Sequence, residues 1–196
     1  MSIAAYLSNI LSTSGIVKPS ALGTGSPSVS NYLRGDGAWQ TPLTQGTSVA
    51  STSGTSIDFT GIPSTAKRIT VIFNGVSVSG TSAIIVQLGS TTFTTTGYSG
   101  AASNFASATV ATVNYTAGLP LMSSTSATAV WFGNTTICNI SGNNWVSSTV
   151  LGRSDTTVSS SASGYIALGG VLDRVRITTV GGTDTFDAGT INIMYE

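Results

Sequence analysis

The sequence predicts an all-β fold: an antiparallel, jelly-roll-like β-sandwich head, preceded by a short N-terminal helix and an extended connector arm. Three observations predict it. From about residue 47, short runs rich in Val, Ile, Thr and aromatic residues recur between Gly, Asn, Asp and Ser turns, at the roughly 8–12-residue spacing of sandwiches and barrels. Ser, Thr and Val are dense in those runs, and such residues disfavour a helical backbone. Hydrophobic residues make up 40% of the 196, enough to build a core and too many for a disordered chain.

The first element is a helix. Ile3, Leu7, Ile10 and Leu11 recur at three- and four-residue spacing with Tyr6 beside them, which predicts a helix over residues 3 to 11, with Ser2 as N-cap and Gly15 as stop. A helix below about 12–15 residues is marginal alone in water, so this stripe is expected to dock on the same chain, a sister chain or another protein. Residues 16 to 46 carry Pro19, Pro27 and Pro42 among Gly23, Gly25, Gly35, Gly37 and Gly46, and read as linker. Tyr32, Leu33 and Trp39 are too apolar for a pure linker; Tyr32 and Trp39 are expected to pack against a neighbour. Within "RGDGAW", Gly35 and Gly37 supply unusual backbone angles and Asp36 bonds nearby amides, which predicts a tight turn. The same letters contain an Arg-Gly-Asp adhesion motif, but three residues recur often by chance and the turn reading is preferred.

The head follows. "TSIDFTGI" alternates Ile57 and Phe59, and "RITVIFNGVSV" puts Ile69, Val71 and Phe73 on one face. "SAIIVQLG" comes after a turn at Gly80. Further strands are expected in "SATVATVNYT", "ATAVWFGN", "TTICNIS", "NNWVSSTVLG", "GYIALGG", "DRVRITTV" and "TINIMYE". In "LDRVRITTV", Arg174 and Arg176 share one strand face, with Asp173 and Val175 on the other; Arg on such a face pairs with an acid across the sheet or at a subunit contact. The organisation read from these elements is an attachment segment over residues 1–25, a connector over 26–46 and a head over 47–196.

Composition excludes several functions. Charged residues are 7% of the chain against about 25% in a typical domain, the net charge is zero and there is no His. No basic cluster exists beyond Lys67-Arg68, so no nucleic-acid partner is expected. A low net charge is a solubility risk for a free monomer, and a chain inside a larger assembly escapes part of it. The lone Cys138 excludes an internal disulfide and reads as a small buried hydrophobe. A catalytic thiolate, a Ser triad and a Cys/His zinc site all lack the necessary His. "GTGSPS" at 23 to 28 lacks the Lys-Ser/Thr ending of a phosphate loop. The opening residues carry no basic n-region, and nothing reaches about 18 consecutive apolar residues, so neither a secretory leader nor membrane insertion is expected. No enzymatic activity, cofactor or metal is expected. The hydrolytic alternative would use Asp184 and Asp187 in "GGTDTFDAG", which are close enough to share a loop. The same pair could hold Ca²⁺ with backbone carbonyls, and the competing reading is a solvated turn of self-capping Asp side chains.

Aromatic residues in small polar surroundings are the candidates for binding. "TTTGYSGAASNFAS", residues 94 to 107, sets Tyr98 and Phe105 among Gly, Ser and Ala, the composition by which binding loops gain contact area at low entropy cost. "SGNNW" offers Asn143, Asn144 and Trp145, amides beside a ring that can cover the apolar face of a sugar. Tyr98 and Trp145 can equally fill the core.

"NYLRGDGAWQTP" is similar to a short segment recurring in tail fibre and related tail proteins of tailed bacteriophages. "TSIDFTGIPSTAKRITVIFNGVSVSGTS", the later "QLG" and "TTGYSG", and "GVLDRVRITTVGGTDTFDAGTINIMYE" resemble the distal β domain of such proteins. The resemblance implies a virion tail protein, made in the host cytoplasm and released by lysis, most often a homotrimer. It implies attachment to other tail or baseplate proteins through the N-terminal segment, to which Ile3, Tyr6, Leu7, Ile10, Leu11, Tyr32, Leu33 and Trp39 are assigned. It also implies a head that binds a host surface glycan or protein. No shaft of repeats or heptads is present, so a short fibre or compact tip is expected. An architectural fibre without receptor binding, or a polysaccharide depolymerase, are the alternatives.

Overall fold

A computed structural model describes residues 9–12, 16–28 and 31–196. The chain forms two compact units, one up to Thr44 and one over Gln45–Glu196.

In the first unit, Ile3, Tyr6 and Leu7 of the expected helix lie outside the described residues. Leu11, expected to close that helix, instead pairs antiparallel with Val17. The Lys18 N–H donates to the Ile10 carbonyl at 2.7 Å, so the chain folds back on itself there. The strands Tyr32–Leu33 (β1) and Trp39–Gln40 (β2) form a hairpin around the Arg-Gly-Asp turn. The Gly37 N–H donates to the Arg34 carbonyl at 2.9 Å, and Asp36 Oδ1 accepts the Ala38 N–H at 3.1 Å. Arg34 is held to Gln40 Oε1 at 2.7 Å and to Asp36 at 3.4 Å. Gly37 alone of the two expected glycines has positive φ, at 80°. The turn thus follows from the self-bonding of Asp36 and a glycine at its last bend.

The second unit is an antiparallel β-sandwich. Its strands are Thr44–Gln45 (β3), Val49–Ala50 (β4), Ser56–Thr60 (β5), Arg68–Val78 (β6), Ile84–Ser90 (β7), Thr92–Phe93 (β8), Ser99–Ala106 (β9) and Thr109–Tyr115 (β10). Leu119–Pro120 (β11), Trp131–Ser141 (β12), Asn144–Arg153 (β13), Val158–Ala167 (β14), Arg174–Thr179 (β15) and Phe186–Tyr195 (β16) complete it. A nine-stranded sheet runs β10-β9-β14-β13-β12-β6-β16-β3, with β4 also on β16. A five-stranded sheet runs β11-β7-β15-β5, with β8 on β7. From β5 to β9 the chain crosses between sheets as in a jelly roll, with β5, β7 and β8 in the small sheet and β6 and β9 in the large one, whereas β12, β13 and β14 form a meander within one sheet. The meander arises because Ser141 and Asn144 pair across a two-residue bend in which Gly142 takes φ 51°.

Alternation sets the core. Ile69, Val71 and Phe73 of β6, Ile57 and Phe59 of β5, and Val175 and Ile177 of β15 are buried between the sheets, as their period of two demands. Trp131 and Phe186 are its largest fully buried side chains. Two strand boundaries differ from the sequence expectation. "ATAVWFGN" and "TTICNIS" are one strand, β12, because Gly133 continues it at φ 129° instead of ending it. The stretch 94 to 107, expected as a loop, carries β9, whose Ser, Ala and Gly residues have weak strand preference but pair on both sides, with β10 and β14. Cys138, expected to be buried, is half-exposed, because it faces away from the buried Ile137 beside it.

The charged residues lie mainly away from the large sheet. Arg176 makes a two-point ion pair with Asp58 across β15 and β5, at 2.8 and 2.7 Å, and its guanidinium lies 4.0 Å from the Phe93 ring centre. Arg174 pairs instead with its neighbour Asp173 at 2.7 Å.

One close backbone approach is between β6 and β16. Both strands bulge there, and Gly75 and Gly189 take φ 68° and 93°. A Cβ on Gly189 would lie 2.4 Å from the Gly75 carbonyl oxygen. Gly189→Ala is therefore expected to cost about 2–4 kcal/mol, from the strained backbone angle and the clash together. Urea unfolding should show a lower midpoint with an unchanged slope.

A candidate binding groove on an uncharged sheet face

Residues 69 to 152 contain no Asp, Glu, Lys, Arg or His. The outer face of the large sheet is built mostly from this stretch. Row by row, cross-strand neighbours on that face include Val110, Phe105 and Ser159; Thr112, Ser103, Ser161, Val150 and Asn134; and Asn114, Ala101, Ser163, Ser148 and Thr136. The face therefore offers hydroxyls, amides and apolar groups, with Phe105, Val110, Phe132 and Val150 among its exposed members.

A groove of about 640 Å³ crosses this face over β10, β9, β14 and β13. Its floor is low because small outward residues meet there: Ala101 pairs with Ser163. Ser99, Asn114 and Thr116 line it on one side, Val146 and Tyr165 on the other. Tyr165 is 40% exposed, and its hydroxyl donates to Asn144 Oδ1 at 2.9 Å. The Asn144 amide in turn donates to the Ser141 carbonyl at 3.1 Å, so the hairpin between β12 and β13 sets the position of the ring. The site thus combines one oriented aromatic face with hydroxyls and an amide, and no charged group lines it. It can hold a neutral polar ligand by ring contact and hydrogen bonds.

The sequence candidates divide by burial and position. Asn144 acts at the groove through Tyr165. Asn143 is half-exposed, and its carbonyl accepts the Leu168 N–H at 3.0 Å. Phe105 is exposed on the same face, toward the opposite end of β9. Tyr98 and Trp145 cannot serve as surface contacts: they are 3% and 4% exposed and fill the core. Trp145 alternates with outward Asn144 and Val146 along β13, and that parity turns its ring inward. Tyr165, absent from the candidates, sits in a run of Ser, Ala and Gly; its alternation with buried Ile166 was the available signal. Of the attachment residues, Ile10, Leu11 and Trp39 are half-buried and Tyr32 and Leu33 are exposed.

Asp184 and Asp187 do not converge. Asp184 accepts the Ser82 N–H at 2.9 Å, and Asp187 accepts the Ser77 hydroxyl. Each thereby fixes the β6–β7 connection or its approach to β16. Among the described residues, no group of three or more His, Cys, Asp or Glu is placed to hold a metal ion. No described helix is long and apolar enough to cross a membrane. Compared with protein-family models, curated proteins and solved structures, the chain matches none.

Tyr98 serves structure. Its hydroxyl accepts the Leu88 N–H at 2.7 Å and donates to the Thr94 carbonyl at 2.9 Å. Burial pushes its pKa from 10.0 up to about 12, and the Leu88 amide bond partly offsets this. A folded pKa above the unfolded one gives stability that is complete below about pH 10 and is lost as pH rises toward 12. Burial raises Tyr115 as well, so both rings contribute to alkaline unfolding. Tyr98→Phe is expected to cost about 1–3 kcal/mol at neutral pH by stranding the Leu88 N–H. It should also flatten the loss of stability between pH 10 and 12, as read by urea midpoints across that range.

Proposed function

We propose that this chain is a virion tail protein: a short fibre that attaches through its N-terminal unit and whose β-sandwich binds the host cell surface. The observation that carries the reading is the groove on the uncharged sheet face, with Tyr165 held at its wall by Asn144. A groove lined by hydroxyls, an amide and one ring suits a surface glycan more than a charged ligand, since it offers no ion to pair with. The similarity of "NYLRGDGAWQTP" to segments between the attachment and distal parts of phage tail proteins supports the same division of labour.

The test is binding of the labelled full chain to a panel of bacterial cells. Saturable binding is expected to one host type. Tyr165→Ala should weaken it about tenfold, the scale of one lost ring contact. Tyr165→Phe, which keeps the ring and loses the Asn144 bond, should fall between the two. Binding that is indifferent to Tyr165→Ala would move the contact elsewhere on the head, and a folded chain that binds no cell would favour an architectural fibre.

A further inference from the structure

We infer that the free edge of β10 pairs with the same edge of a second copy of this chain, joining two nine-stranded sheets into one. β10 ends the large sheet. It pairs with β9 residue for residue from Thr109 to Tyr115, without a bulge, and its other side meets no strand among the described residues. Thr109 to Asn114 are exposed whichever way their side chains point, with Val110 at 61% and Val113 at 42%. An edge of this kind presents a row of unpaired N–H and C=O groups.

Soluble sheets protect such edges by shortness, proline, charge or a bulge. The other edges of this head do so. The far side of the large sheet ends in two-residue strands, β3 and β4. In the small sheet β11 has two residues, one of them Pro120, and β5 carries Asp58 at its centre. β10 has seven residues and none of these protections. It is the open edge among protected ones.

The occupant follows from charge and symmetry. The β9–β10 hairpin lies wholly within the uncharged stretch, so a charged peptide finds no complement there. A second β10 meets it with no like-charge contact. β10 has a single free side, so two copies close on a two-fold axis with their strands antiparallel. That axis stands normal to the sheet. Both outer faces, and both grooves, then point the same way, and two weak sites act together by effective concentration. This edge closes a two-fold pair and cannot build the three-fold assembly that the resemblance to tail fibres implies. The inference stands whatever the groove binds.

The test uses the full chain. Native mass spectrometry is expected to give a dimer. Thr112→Lys, which places two cations near the axis, should raise the dimer dissociation constant at least about tenfold without changing the circular dichroism spectrum, while Thr112→Ser leaves it unchanged. In a Cys138→Ser background, single cysteines at Val110, Thr112 and Asn114 report on the axis. At least one is expected to form an intermolecular disulfide on oxidation, since facing residues in an antiparallel pair lie within disulfide reach, at about 4.5–5.5 Å between Cα atoms. A monomeric or trimeric wild type overturns the inference. So does a dimer that ignores Thr112→Lys and yields no crosslink.

Discussion

The head depends on how one non-repetitive segment, Leu121 to Thr125, closes the inner face of the large sheet. Leu121 and Met122 are fully buried there. Its backbone is held by side chains from β9, β10 and β14, and a side chain from β12 bonds one of its hydroxyls. Tyr115 donates to the Met122 and Ser123 carbonyls at 2.9 and 3.0 Å, and Ser160 to the Leu121 carbonyl at 2.9 Å. Asn104 accepts the Ser123 N–H at 3.0 Å and donates to the Ser124 carbonyl at 2.9 Å. The Trp131 indole N–H donates to the Thr125 hydroxyl at 2.9 Å. A buried irregular backbone needs each such partner, because an unpaired buried polar group costs about 1–3 kcal/mol. These polar residues therefore do the work that a longer β11 would otherwise do, and they hold the strands that carry the groove on their other face.

The same economy shapes the surface. Among the described residues, ion pairs engage Arg34, Arg68, Arg153, Arg174 and Arg176, and all involve groups at least partly exposed. Exposed pairs contribute only about 0–1 kcal/mol each, so stability must come from burial and from hydroxyl and amide bonds such as Thr149 to Thr135 at 2.7 Å. An uncharged part of the outer face, over β9, β10 and β14 and the adjoining β13, is the result, with the Arg68–Glu196 pair on the same face beyond it at β6. Water tolerates that face because Ser and Thr alternate with its apolar members, and a neutral ligand or a second copy finds no charge to desolvate.

Close backbone approach is the remaining constraint. Added Cβ atoms on Gly100 and Gly164 would lie 2.7 and 3.0 Å from the Pro120 ring on the inner side of the sheet. The glycines thus let β11 pack closely on the inner side, while the small outward residues Ala101 and Ser163 beside them leave the outer side shallow enough to admit a ligand.

The all-β class, the inward sets on β5, β6 and β15, and the Arg-Gly-Asp turn were legible in the sequence, because each rests on local periodicity or on a side chain bonding its own turn. The pairing of Arg176 with an acid was legible as a type of contact, while its partner Asp58, 118 residues away, was not. The candidate site was legible only in Asn144 and in the neutrality of the face. Strand parity decided that Trp145 and Tyr98 turn inward and that Tyr165 turns outward, and parity depends on register between strands distant in sequence. The role of β9, the closing segment after β11 and the open edge of β10 likewise belong to the tertiary structure. Small Ser, Ala and Gly residues carry little preference of their own, so long-range pairing decides what they become.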